Sequence, residues 1–218
     1  MKKLVICLFA FAGLTSVNKV NAQKGFSASV KAVPQFSFLQ NKDDNKNSSY
    51  DNKATFNASF GIGGAYNFTN KLGLGIDALY SLQGQRYNLG GIELNQKNEY
   101  VKVPLYFTYN SNPGNTVSFV GKIGPQVSFI TSSKLDNKDG ETVLSDTKDR
   151  YKSTTFGGAA LAGVQFKLDQ NMYLVTAARF DYDFSNAEDD TYQNYPVGRA
   201  HTYNMTAGVE VGLKYNFR

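Results

Sequence analysis

Apolar and polar positions alternate along most of this chain. The pattern is cleanest from His201 to Arg218. There His201, Tyr203, Met205, Ala207, Val209, Val211, Leu213, Tyr215 and Phe217 interleave with Thr202, Asn204, Thr206, Gly208, Glu210, Gly212, Lys214 and Asn216. Side chains point to opposite faces along a β-strand, so this stretch predicts one long strand with an apolar face and a polar face. The same period of two recurs near residues 25–40, 53–68, 72–87, 99–110, 116–132, 151–168 and 172–185.

The spacers between these strands follow a pattern of their own. Polar stretches at Asn41–Asn52, Asn88–Asn98, Ser133–Arg150 and Asn186–Ala200 read as long loops. Thr69–Lys71, Ser111–Asn115 and Asp169–Asn171 read as short turns. Long loops alternating with short turns, around an even number of strands, predict an all-β fold. It is an eight-stranded antiparallel up-and-down transmembrane β-barrel with both termini on the short-turn side. Pro34, Pro104 and Pro125 fall inside strands and are expected at bulges or strand ends, because proline cannot donate to the ladder.

Which face points outward decides the environment. A soluble ligand carrier would turn its apolar face inward. Two features favour the opposite arrangement. The polar face is rich in glycine and small residues, as a narrow lumen requires. The apolar face carries aromatics at both ends: Tyr66, Phe68, Tyr109, Phe166, Tyr215 and Phe217 near the turns, and Phe36, Phe38, Phe129, Phe156, Tyr182, Phe184 and Tyr203 near the loops. Two such belts are the interfacial girdles of a bilayer-spanning barrel.

Composition sharpens this picture. Aromatics make up 14% of residues, yet mean hydropathy is only −0.38. That combination suits apolar residues spread singly along strands. Lys2 and Lys3 precede an apolar run from Leu4 to Leu14, and Val20-Asn21-Ala22 supplies small residues before Gln23. Residues 1–22 therefore read as a secretory signal peptide, with 23–218 as one barrel domain exported to the cell outer membrane. Removing Lys2, Lys3 and Lys19 leaves 20 basic and 18 acidic residues, a net charge of +2. This gives no basis for a nucleic-acid partner. The single cysteine, Cys7, lies in the signal, so the expected mature chain has neither a disulfide nor a cysteine-ligated metal.

Several short motifs resemble the PorT-like family of Gram-negative outer-membrane β-barrel proteins. They are the signal end Asn21-Ala22-Gln23, the segment Tyr100-Val101-Lys102-Val103-Pro104-Leu105 leading into an aromatic strand, Gly121-Lys122-Ile123-Gly124-Pro125, and the tail from Leu213 to Phe217. The resemblance implies an eight-stranded outer-membrane barrel. Some members of that family are tied to protein secretion and gliding. One departure is Arg218, which follows the terminal aromatic that the barrel-insertion machinery normally reads. Leu213, Tyr215 and Phe217 are expected to form that insertion signal.

The candidate chemistry sits on the polar face. Lys31, Lys102, Lys122, Lys167, Arg179 and Lys214 share it with Asp77, Asp181, Asp183 and Glu210. An eight-stranded barrel is just wide enough for side chains to fill it. Lone charges there are costly, so these residues are expected to form an ion-pair network that plugs the lumen. Arg179-x-Asp181-x-Asp183 is its densest part. The resulting function is a structural or interaction protein without catalysis. A small anion-favouring channel is the first alternative. A lipid A-modifying enzyme is the second, although His201 is the only histidine and falls in the lipid-facing register. No cofactor is expected. Asp43-Asp44 and Glu188-Asp189-Asp190 offer oxygen ligands but lack calcium-loop spacing, and read as solvated charge. They could also bind divalent ions that bridge lipopolysaccharide phosphates. Expected partners are outer-membrane lipid and lipopolysaccharide, the insertion machinery, and a protein reached through the long loops, where Tyr50, Tyr192 and Tyr195 would serve as anchors.

Overall fold

The computed structural model describes residues 24–46, 50–89, 92–112, 114–193 and 195–217. The signal segment with Cys7, the Tyr50 side chain and Arg218 lie outside the described residues. The wall consists of β1 (Gly25–Asn41), β2 (Tyr50–Asn67), β3 (Leu72–Leu89), β4 (Ile92–Asn110), β5 (Val117–Asn137), β7 (Thr154–Lys167), β8 (Met172–Asp183) and β9 (Thr202–Asn216). A three-residue strand, β6 (Thr142–Leu144), folds back on the tip of β5. Every wall strand pairs antiparallel with two neighbours. β1 pairs with both β2 and β9, and β4 pairs with β5, so the ring closes without a free edge.

The alternation sorts the side chains as expected. Val30, Phe60, Ile62, Leu105, Phe107 and Ile123 point outward and are half or more exposed. Lys31, Asp77, Lys102 and Glu210, on the opposite register, are buried. In water the outward face would be unaffordable; in hydrocarbon it is the solvated face. The aromatic belts pair across strands. Phe26 meets Tyr66 near the turns, with ring centroids 4.9 Å apart, and Tyr182 meets Tyr203 near the loops at 5.7 Å.

The loop end departs from the expected boundaries. The described residues of Asn88–Asn98 are strand, because β3 and β4 stay in register up to Leu89 opposite Ile92. Above the membrane the outward apolar residues stop, so the alternation fades although the backbone ladder continues. The first long loop holds a short helix, α1 (Lys42–Lys46), whose start is capped by Asn41 Oδ1 accepting from Asp43 N at 2.8 Å. The sixth wall strand begins at Thr154, and Tyr151 instead forms an isolated bridge to Glu188.

The prolines also differ from expectation. Pro34, Pro104 and Pro125 lie in mid-strand, and each keeps its pairing on one side. On the other side the ladder skips a few pairs and resumes in the same register. The bulges lie elsewhere, between Ala54 and Ser59 on β2 and at Glu99/Tyr100 opposite β5.

Candidate functional site

The lumen is filled in layers. Gly63 on β2 leaves room for the lowest part of the charged layer, since a Cβ there would overlap the Asp77 carboxylate. Lys31 Nζ lies 2.6 Å from Asp77 Oδ2 and 3.4 Å from Glu210 Oε1. Glu210 also meets Arg179 Nη1 at 3.2 Å and Lys122 Nζ at 3.5 Å. Arg179 Nε lies 2.9 Å from Asp181 Oδ1, and Lys102 Nζ lies 3.2 Å from Asp181 Oδ2. Thr206 donates to Asp181 Oδ2 at 3.0 Å, and Thr155 donates to Asp183 Oδ2 at 2.8 Å.

Seven of the ten sequence-derived lumen residues are therefore joined by ion pairs: Lys31, Lys102, Lys122 and Arg179 with Asp77, Asp181 and Glu210. Asp183 is buried nearby and accepts from Thr155. Lys167 and Lys214 lie elsewhere. Lys167 is exposed at the turn end of β7. Lys214 sits below the cluster, donating to Gln165 Oε1 at 2.5 Å with its ammonium 4.9 Å from the Tyr173 ring centre. The ion-paired cluster thus holds four cations and three acids, and the buried Asp183 brings the interior acids to four. The cation excess read from the sequence belongs to the turn end.

Sequence reasoning gave no role to Tyr106, yet it is the hub of this layer. It is 1% exposed, and the Lys122 and Arg179 charges lie 5.6 and 6.0 Å from its ring centre. Its place on the polar register was the available signal. Below the cluster, a cavity of about 70 Å³ opens between Ser27, Asp77, Lys122 and Lys214. That is room for a few waters. Above it, Gln96 Nε2 donates to Asn98 Oδ1 and to the Ser133 and Thr147 hydroxyls at 2.9–3.0 Å, forming a neutral polar layer.

The loop end is tied together by a residue the sequence reading passed over. Arg199 forks onto two carboxylates, Asp44 at 2.8 and 3.0 Å and Glu188 at 2.7 and 2.9 Å. The hydrogen bonds it donates to Glu188 and Asp44 hold its guanidinium pKa above the usual range. The fork joins α1 to the last loop, and Ala200 N donates to Asp43 Oδ2 at 2.7 Å. Asp43, Asp44 and Glu188 are thus protein-bonded rather than merely solvated. Asp190 meets Lys152 at 3.0 Å. His201 is exposed, its ring 6.3 Å from that of Tyr203. Leu213 and Tyr215 face outward, and Tyr215 packs edge-on against Phe217 at 5.3 Å.

A closed ring of eight strands with an apolar outer wall, aromatic belts and a polar interior defines a membrane-spanning up-and-down barrel of the outer-membrane type. The chain belongs to the family described as outer membrane protein beta-barrel domain, whose sequence profile matches residues 21–189. Its place is the cell outer membrane, where such walls meet lipid and lipopolysaccharide. Two solved structures share the fold. The outer membrane protein OprG from Pseudomonas aeruginosa is 13% identical, with 90% of this chain and 97% of that chain covered and a TM-score of 0.50. Neisserial surface protein A is also 13% identical, with 88% and 97% covered and a TM-score of 0.51. No curated protein matches the sequence.

Proposed function

We propose that this protein is a plugged outer-membrane barrel that acts as a structural or interaction protein and works through its loop end. The observation that carries this reading is the buried ion-paired cluster around Arg179 and Glu210. Tyr100, Tyr106, Lys102, Gln126 and Arg179 are each less than 5% exposed and stand between the turn-side cavity and the loop end. A through-path would have to unpair several desolvated charges, each at a cost of several kcal/mol. The ties that Arg199 and Ala200 make from the last loop to α1 help hold the surface offered to a protein partner. Kinship with the PorT-like barrels is part of this reading, as are cleavage after Ala22, residues 23–218 as the mature domain, and recognition of Leu213, Tyr215 and Phe217 by the insertion machinery. Catalysis is not part of it.

Planar-bilayer recording of the purified protein tests the plug. The expected trace is free of regular single-channel steps. Robust steps that change on Arg179→Ala or Lys122→Ala would replace this reading with the small anion-favouring channel, which the cationic turn-side vestibule at Lys122 and Lys214 favours. Lipid A mass spectra with and without the gene are expected to match. A difference lost in His201→Ala would restore the enzyme class. Crosslinking in intact outer membrane, followed by capture, identifies what the loops hold.

A further inference from the structure

Above the neutral polar layer the extended strand tips and the last loop enclose a cup of about 460 Å³. This lies within the roughly 300–1,000 Å³ of pockets that hold small ligands. Four tyrosines line its walls. Tyr87 comes from β3, Tyr151 precedes β7, and Tyr192 and Tyr195 come from the last loop. Gln96 and Leu94 contribute from the tip of β4. The Arg150 guanidinium lies 6.0 Å from the Tyr192 ring centre, which orders that side of the wall.

The charges of the cup cancel. Arg150 and Arg199 face Asp44 and Glu188. The Arg199 fork uses its donors on the two carboxylates and fixes both in place. Each carboxylate oxygen keeps lone-pair capacity for a further donor. An anionic ligand would meet those carboxylates, and a cationic one would meet the two guanidiniums. A neutral ligand rich in hydroxyls meets neither penalty. It finds flat tyrosine faces for its C–H surfaces, and acceptors and donors at fixed positions for its hydroxyls. Tyrosine gives such contact area at low entropic cost.

We propose that the outer cup is a binding site for a neutral saccharide, with Tyr192 and Tyr195 stacking on sugar rings and Asp44 and Glu188 accepting from hydroxyls. The proposal rests on the reading of the loop end as the interacting end and names the chemistry of one occupant. The polar floor makes the cup blind, so the saccharide is held rather than passed.

The test is ligand-observed saturation-transfer NMR on the purified protein in a zwitterionic, sugar-free detergent. The probes are maltotriose, cellotriose, mannotriose and chitotriose, with a heparin-derived tetrasaccharide as the anionic comparison. At least one neutral trisaccharide is expected to give a saturable signal. Tyr192→Ala and Tyr195→Ala should each weaken it at least about tenfold, while Tyr66→Ala on the lipid face leaves it unchanged. Tyr192→Phe, which keeps the ring, should retain binding. Heat-modifiable gel migration confirms that each variant is folded. Absence of saturable binding by all four neutral probes overturns the proposal. So does wild-type affinity in both alanine variants, or binding of the sulfated probe alone. A protein partner captured from the membrane alongside a negative saccharide panel would sink this inference and leave the proposed function standing.

Discussion

Arg179 on β8 reaches Glu210 on β9 across a glycine. Its direct partner in the ladder is Gly208, and Glu210 lies diagonally beyond, opposite Ala177. A Cβ at Gly208 would overlap Pro34 O and Gln35, so the glycine lets β1 pack close against β9 here, and Arg179 Nη1 lies 3.2 Å from Glu210 Oε2. Both side chains are about 2% exposed. Such a pair is costly to break, although its net contribution to stability is modest.

That asymmetry yields the first prediction. Arg179→Ala removes a buried partner from both acids, leaving Glu210 to Lys31 and Lys122 and Asp181 to Lys102, and is expected to destabilise the barrel by about 3–5 kcal/mol. Arg179→Met combined with Glu210→Leu removes both charges and should cost markedly less than the two single changes added together. Urea unfolding in detergent, followed by loss of the fast-migrating unheated band, measures both. Additive losses would show that the two residues do not act as a pair.

The lipid wall gives the second. Ile62 faces outward on β2 between the belt residues Phe56 and Tyr66, opposite Val30 and Ala78, and is 63% exposed. Ile62→Arg should destabilise the folded barrel in bilayers by about 2–4 kcal/mol, the range for a cation near the midplane. Arginine introduced at Phe56, close to the loop-side belt, should cost less. Equal penalties at the two depths would contradict the placement of the belts.

The β4–β5 tip supplies a pH prediction. Lys97 Nζ lies 2.6 Å from Asp136 Oδ2, and this hydrogen bond holds the Asp136 carboxyl below the usual carboxylate range. An unfolded aspartate titrates near about 3.9. The folded pKa is depressed, so the contact's contribution is complete above that value and is lost as pH falls through the folded one. Lys97 is 42% exposed, which limits the contribution to about 1 kcal/mol or less. Carboxyl ¹³C titration by NMR should give Asp136 a lower midpoint in the native protein than in Lys97→Met. Identical midpoints would rule the contact out in solution.

The fourth prediction concerns the loop clamp. Arg199→Ala leaves Asp44 and Glu188 facing each other and removes the side-chain fork between α1 and the last loop, with the Ala200 N–Asp43 Oδ2 bond remaining. Limited proteolysis of whole cells should then cut the 186–200 segment several-fold faster, with the barrel core intact on heat-modified gels. Arg199→Lys, which cannot fork onto both carboxylates, should fall between the two. Unchanged cleavage would mean that the loop is held by its backbone bonds, such as Ala187 N to Thr202 O at 2.8 Å.

Strand number, wall orientation and the buried charges were legible because each depends only on neighbours in the chain. A period of two sends Val30 to lipid and Lys31 to the lumen wherever the strand lies. Which charges meet is a different matter. Lys31 reaches Asp77 across 46 positions, and Lys102 reaches Asp181 across 79. Those distances follow from the register and stagger of a closed ring, which no local pattern encodes. The same stagger drops Lys167 and Lys214 to the turn end and centres Tyr106 between two cations. At the loop end the apolar signal stops with the membrane while the hydrogen-bonded ladder runs on. The alternation therefore ends before β3 and β4 do, and Arg199 finds Asp44 and Glu188 only when the ring has closed. Which side of the wall a residue faces follows from its place in the alternation, because facing is a local property. Which residues meet follows from closure of the ring, because meeting depends on how every strand is shifted against the next.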